Sequence, residues 1–185
     1  MTSGEFFNKV IVRSTNGVKV IDTDHAYIHK KKGYNVIGST TIANGGSYKI
    51  TFKTPDCGSR LNQDVERMYV HWRPALIYGL AGGVIWSLYQ GSTGISGGTA
   101  SDPINANHNA TEKHRARTSV LLGTTVTGNG TLKQVAGSGT AGNPAQANGG
   151  GSSAQNEKVL LSDTYYTLVI ENQLAGNNLT VFDLF

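Results

Sequence analysis

Apolar and polar positions alternate with a period of two along most of the chain. In SYKITFKTP, Tyr48, Ile50 and Phe52 fall on one side and the residues between them on the other, which is the pattern of a strand with one buried and one wet face. About ten such segments are separated by turn residues, and no segment has the pattern of a long helix. They are NKVIVRS, VKVIDT, YNVIGSTTIA, SYKITFKTP, RMYVHWRP, VIWSLYQGS, RTSVLLGTTVTG, EKVLLS, YYTLVIENQ and LTVFDLF.

Turn residues between these segments indicate how neighbouring strands are joined. Asn16-Gly17 is a favoured hairpin dipeptide, and it predicts that the first two segments pair with each other. Asn44-Gly45-Gly46 predicts a second hairpin between the third and fourth segments. Pro74 lacks a backbone N–H, so the fifth segment is expected to stop before it.

Many short strands without an internal repeat predict an all-β protein with one domain, a jelly-roll-like β-sandwich. The 185 residues suffice for a core, and 24 glycines with only 15% charged residues suit a fold with long turns. We expect residues 1–20 to form an N-terminal arm or edge-strand region and residues 21–185 to form the sandwich.

Two long Gly-rich loops are predicted, over residues 91–116 and 128–156. Such loops are uncommon in compact domains and are usually functional or disordered. Ordering one costs roughly 1–2 kcal/mol per residue, so we expect contacts with a neighbouring molecule to hold the second loop. Its only large apolar residues and two of its amides are interface candidates. These are Leu132, Val135, Asn143 and Asn148.

The stretch IDTDHAYIHKKKG is the best candidate for chemistry. If it is extended, Asp22 and Asp24 lie on the face opposite His25 and His29. If it is helical, Asp22, His25 and His29 come together as a three-ligand metal site. The β-branched residues before it favour the extended form, in which an aspartate caps a turn. We therefore predict no metal and no cofactor, and, since no catalytic motif occurs elsewhere, no enzymatic activity.

Charge adds little to this picture. The formal net charge is +4 and the basic residues are scattered, apart from short runs such as Lys30, Lys31 and Lys32. These three lysines are predicted to lie in solvent or against an acidic protein partner and not on DNA. The single cysteine, Cys57, excludes an internal disulfide. No segment has the apolar length of a signal peptide or a membrane span.

Three stretches resemble small virion proteins of tailed bacteriophages. They are DTDHAYIHKKKGYNVIGSTTIANGGSYKITFKTPD, LYQGSTGISGGTASDPINANHNA and EKVLLSDTYYTLVIENQLAGNNLTVFDLF, which together span most of the chain after about residue 20. The final tryptophan usual in those proteins is absent, and Phe182 and Phe185 occupy its region.

The resemblance implies a capsid decoration, or cement, protein. Such a protein would bind the major capsid protein on the outside of an assembled head as a dimer or trimer, and would be located in the virion after synthesis in the host cytoplasm. Three other interpretations are open: a tail, collar or head-fibre component, a carbohydrate-binding jelly roll, and a metal enzyme of the cupin type. The carbohydrate module would need exposed aromatic residues, for which Trp72, Trp86 and Tyr89 are the candidates, although we interpret them as core residues.

Overall fold

A computed structural model describes residues 9–14, 17–22, 33–56, 70–72, 74–79, 83–109, 116–138 and 158–184. These residues form fourteen β-strands and no helix. The strands are β1 (Lys9–Ser14), β2 (Gly17–Asp22), β3 (Tyr34–Ile42), β4 (Ser47–Lys53), β5 (Val70–Trp72), β6 (Pro74–Gly79), β7 (Val84–Gln90), β8 (Thr93–Ser101), β9 (Ile104–Asn105), β10 (Ser119–Gly128), β11 (Thr131–Ser138), β12 (Lys158–Leu160), β13 (Tyr165–Asn172) and β14 (Asn178–Leu184).

Two antiparallel sheets pack against each other. The larger has six strands in the order β11-β7-β13-β4-β10-β8, and the smaller has four in the order β6-β14-β3-β9. Two further pairs, β1-β2 and β12-β5, form short ribbons. The predicted β-sandwich is therefore confirmed, while its jelly-roll connectivity stays a prediction.

The core lies between the two sheets and is centred on aromatic side chains. Trp86, Tyr166 and Phe182 are almost completely buried. The ring of Tyr166 stacks on Phe52 within the six-stranded sheet, with centroids 5.5 Å apart, and Phe182 stacks across the sandwich on Tyr48 at 6.2 Å. A Cβ atom at Gly38 would lie 2.5 Å from the Phe182 ring, so this position of β3 needs a glycine for the ring to fit.

Each of the ten segments identified by alternation contains a strand. The first predicted hairpin is present, because β1 pairs with β2 and Ser14 is opposite Gly17. The boundary predicted between residues 20 and 21 falls inside β2, since the ladder continues to Asp22. The predicted strand end before Pro74 is correct for β5, but β6 begins at Pro74 itself. A proline is tolerated there because it is the first residue of an edge strand.

The second predicted hairpin is wrong. The turn between β3 and β4 has the expected geometry, with the Gly46 N–H donating to the Ala43 carbonyl at 2.9 Å and Gly45 at φ 62°. However, β3 pairs with β14 and β9, whereas β4 pairs with β10 and β13. The turn carries the chain from one sheet to the other, so the apolar faces of β3 and β4 meet across the core. The alternation within β3 and β4 is the same whether the two strands pair in one sheet or face each other across the core, so it does not distinguish the two arrangements.

The two predicted loops are partly strands. Residues 91–116 contain β8 and β9, and residues 128–156 contain β11, which pairs with β7. Ladder hydrogen bonds are made by the backbone, so they form without large side chains. Within β8, Gly97 and Gly98 have φ values of 64° and 85°, a conformation that favours glycine. Because glycine has no side chain, this segment lacks the apolar alternation by which a strand is recognised.

A bend in β10 brings its second half over the larger sheet. Residues 119–122 pair with β4, and the pairing ends before Gly123, which has a φ of 71°. Beyond this residue the strand pairs only with β8. Its end lies beside the end of β7, where the Ser92 hydroxyl donates to the Asn129 carbonyl at 2.6 Å. Half of β10 therefore extends the sheet and half crosses its outward face.

Candidate interaction surfaces

The residues predicted to form contacts are only partly within the described structure. Leu132 and Val135 belong to β11. Asn143, Asn148 and the three lysines at positions 30–32 lie outside the described residues. Their proposed interface role stays a prediction.

The Asp/His stretch is also mostly outside the described part of the chain. Asp22 ends β2, but its side chain and the residues Asp24, His25 and His29 are not described. Within the described ranges no group of three His, Cys, Asp or Glu side chains is placed to hold a metal ion. The choice between a metal site and a capped turn therefore stays a prediction.

Strand β11 presents two aliphatic side chains at an edge of the six-stranded sheet. Leu132 is opposite Tyr89 and Val135 is opposite Ser87, and these two β7 residues share one face. A register shift between Leu132 and Gln134 inserts an extra residue, so side chains three positions apart come to the same side. Their exposed fractions are 49% and 53%. On its other edge β11 has no partner among the described strands.

A second apolar surface lies on the outer face of the four-stranded sheet. Ile37 is 57% exposed, and Ile104 and Leu179 are also exposed. Beside them the Asn35 amide donates to the Asp183 carboxylate at 3.1 Å. Sequence reasoning did not identify this surface, because Ile37 and Leu179 lie in runs where apolar residues also occupy inward positions, and Ile104 lies in a segment that was predicted to be a loop.

The alternation in β4 had predicted that the outward face of this strand is exposed to solvent. This prediction is wrong for the middle of the strand, where the outward face is buried. Thr51 is only 1% exposed, and its hydroxyl lies 2.8 Å from that of Thr124 and 3.2 Å from that of Thr167. Val126 and Val169 are buried on the same side. The second half of β10 covers this face, and the threonine hydroxyls satisfy one another beneath it.

Lys49 fixes the crossing half of β10. Its ammonium group donates to the Val126 carbonyl at 3.4 Å and to the Asn129 side-chain oxygen at 3.1 Å. Both acceptors are neutral. The lysine therefore joins β4 to the end of β10 by hydrogen bonds from a charged donor, which are stronger than neutral ones.

Polar and aromatic contacts join the end of β4 to the beginning of β13. Lys53 forms an ion pair with Asp163 at 2.6 Å and lies 5.4 Å from the centroid of the Tyr165 ring. The hydrogen bond to Asp163, with its negative charge, raises the pKa of Lys53. Burial raises the pKa of Tyr166, although its hydroxyl accepts a 2.9 Å hydrogen bond from the Leu161 N–H, which acts in the opposite direction.

Two of the pockets on the described surface are lined by strands of the six-stranded sheet. One, of about 150 Å³, lies beside β12 and is lined in part by Lys133 and Val159. The other, of about 400 Å³, lies where β4 and β10 diverge. No His, Cys, Asp or Glu lines either pocket among the described residues. Neither lining therefore offers a nucleophile beside a histidine or carboxylate base.

The aromatic candidates for a carbohydrate platform are not presented as one. Trp86 is 1% exposed, which confirms its interpretation as a core residue, and Tyr89 is partly buried. The side chain of Trp72 lies outside the described residues. The part of the chain that the structure describes contains no helix with the length and apolar character of a membrane span. No protein-family model, curated protein or solved structure matches the chain.

Proposed function

We propose that this chain is a structural virion protein that decorates the outside of an assembled tailed-phage head and stabilises it. The observation that carries the proposal is β11, an edge strand with Leu132 and Val135 exposed on one face. The sequence resemblance to phage virion proteins supports the same conclusion. The partner is the major capsid protein, and the decorating unit is a dimer or trimer.

An edge strand suits attachment to another protein. Its backbone N–H and C=O groups can extend a sheet into a strand of the partner, while side chains on alternate positions add specificity. Leu132 and Val135 are each about half exposed. Covering both would contribute on the order of 1 kcal/mol per side chain, since full burial of such a residue contributes about 1.5–3 kcal/mol. We assign β11 to the capsid contact.

Modest contacts of this kind are sufficient on a repeating surface. A protein that binds the assembled shell and not its free subunits adds its binding free energy to the assembled state. Several copies joined in one oligomer bind with an avidity that exceeds the affinity of each contact. Stabilisation of the head therefore does not require a large interface for each copy.

Co-sedimentation with undecorated heads tests the proposal. The wild-type protein should pellet with assembled heads and stay in the supernatant with free major capsid protein. Val135→Asp should reduce pelleting about tenfold, because the substitution removes an apolar contact and places a charge in the interface. Ile37→Asp is the matched control. Ile37 has a similar exposed fraction but lies on the other sheet, so this variant should pellet like the wild type when light scattering shows that its oligomeric state is unchanged.

Two results would contradict the proposal. Wild-type protein that fails to bind assembled heads is not a decoration protein. Val135→Asp that binds heads as tightly as Ile37→Asp would show that β11 is not the attachment strand. Light scattering of both variants reports the oligomeric state separately, so a lost dimer or trimer is distinguished from a lost capsid contact.

A further inference from the structure

We propose that Asn44 is a site of spontaneous deamidation. It lies in the turn between β3 and β4 and is followed by a glycine. The side chain of Asn44 is exposed, and so is Gly45. The modification would convert the residue into a mixture of aspartate and isoaspartate and add a negative charge where the chain passes between the two sheets.

The reaction needs only the chain and water. The backbone nitrogen of Gly45 attacks Cγ of Asn44, the new N–Cγ bond closes a five-membered succinimide, and the Cγ–Nδ2 bond breaks with release of ammonia. Water then opens the ring. Opening at one carbonyl gives aspartate, and opening at the other gives isoaspartate, in which the main chain runs through the side-chain carbon.

The geometry of this turn leaves both reacting groups accessible. A Cβ atom built at Gly45 would have no neighbour within 4 Å, so nothing crowds the attacking residue. Among the described residues neither the Asn44 side chain nor the Gly45 amide takes part in a hydrogen bond. The turn is held instead by the residues on either side of Asn44 and Gly45. The Asn172 side-chain amide donates to the Ala43 carbonyl, and the Asn172 backbone N–H donates to the Gly46 carbonyl.

A second Asn-Gly pair in the same fold is restrained and serves as an internal control. Asn129 accepts a hydrogen bond from Lys49 on its side-chain oxygen and another from Ser92 on its carbonyl. Gly130 approaches the backbone of β7 so closely that a Cβ atom there would lie 2.2 Å from the Gln90 carbonyl oxygen. The local sequence chemistry of the two pairs is the same, but the second pair must break these contacts to react.

The experiment incubates the folded protein at mildly alkaline pH and follows each Asn-Gly peptide by mass spectrometry. Isoaspartate is confirmed by labelling with an isoaspartyl methyltransferase. Asn44 should react at least about tenfold faster than Asn129, because Asn129 must first lose its hydrogen bond from the charged Lys49 ammonium group. In concentrated urea the two peptides should react at similar rates. Peptides containing Asn16 and Asn148 are measured separately, so that each mass gain is assigned to one residue.

Two variants sharpen the test. Asn44→Gln should abolish the modification at that turn, since glutamine would have to close a larger ring. Lys49→Met keeps the aliphatic stem but releases Asn129, so it should raise the rate at Asn129 towards that at Asn44. The proposal is wrong if native Asn44 reacts no faster than native Asn129, or if Asn44 stays intact under conditions that deamidate it in urea. Neither comparison depends on a variant that has to fold.

Discussion

Removal of the Asn172 side chain should destabilise this fold strongly for a small change in volume. Asn172 is the last residue of β13 and is only 1% exposed. Its side-chain NH2 group donates to the carbonyls of Ile42, Ala43 and Gly176 at 3.0, 3.1 and 2.7 Å. Its side-chain oxygen accepts from the Leu174 N–H at 3.0 Å. One side chain thus joins the end of β13, the crossing from β3 to β4 and the turn before β14.

The expected loss follows from these four contacts. An NH2 group has two hydrogens, so one hydrogen is shared, and about three full hydrogen bonds are made. Each contributes roughly 1 kcal/mol, and buried groups left without a partner cost about 1–3 kcal/mol each. Asn172→Ala should therefore lower the free energy of unfolding by about 3–5 kcal/mol. For a chain of this length that corresponds to a fall in Tm of about 10 °C.

Urea unfolding and thermal melting at pH 7 measure this loss. Asn35→Ala is the control, because its amide makes one described bond, to Asp183, and is half-buried. It should cost about 1 kcal/mol or less. Asn172→Asp should not restore stability at pH 7, since it places a carboxylate against three carbonyl oxygens. Protonation at acid pH returns one donor, so its deficit should narrow as pH falls. If Asn172→Ala is no less stable than Asn35→Ala, the reasoning is refuted.

Three further substitutions test other parts of the structure. Because burial raises the pKa of Tyr166, the contribution of its neutral hydroxyl to the free energy of unfolding should be fully present below about pH 10 and be lost as the pH rises through the raised pKa. Tyr166→Phe should therefore make the alkaline fall in the urea midpoint shallower, and an unchanged slope would contradict the assignment. Thr51→Val should cost about 1–3 kcal/mol in urea unfolding by leaving its threonine neighbours unpaired, and Thr51→Ser, which keeps the hydroxyl, should cost less. Gly123→Ala should lower the unfolding free energy by about 1–3 kcal/mol, since its φ is 71° and the new Cβ would lie 3.3 Å from Tyr48; Gly45→Ala has a similar φ but open space, so equal losses would show that the bend is not tightly packed.

Alternation along the sequence was sufficient to locate ten strands but not to pair them. The crossing at Asn44-Gly45 has the residues of a hairpin, yet the next strand joins the opposite sheet. Whether two consecutive strands pair or face each other depends on the rest of the core, which no local pattern records. Strands β8 and β11 were missed for a different reason. Strand β8 is rich in glycine, and the bulge in β11 places Leu132 and Val135 three positions apart, so neither segment shows the alternation of a strand.

The two candidate surfaces also differ in whether the sequence alone could identify them. Leu132 and Val135 could be selected because they are isolated apolar residues in a polar segment, and the structure places both of them in the open. Ile37 and Leu179 could not, since core strands carry the same residues and only the register decides which face they occupy. Buried Thr51 was misassigned because the cover over its face comes from β10, which is distant in sequence.

The arrangement of the two exposed surfaces has a consequence for a bridging role. A protein that links neighbouring units needs two separate contact regions, and here they lie on different sheets: Leu132 and Val135 on the six-stranded sheet, Ile37 and Leu179 on the four-stranded one. The core between the sheets includes none of these side chains. Substitutions at either surface should therefore change association without lowering the melting temperature of the free protein. A contact assigned in this way can be separated from folding, which makes attachment to the head and association between copies two independent measurements.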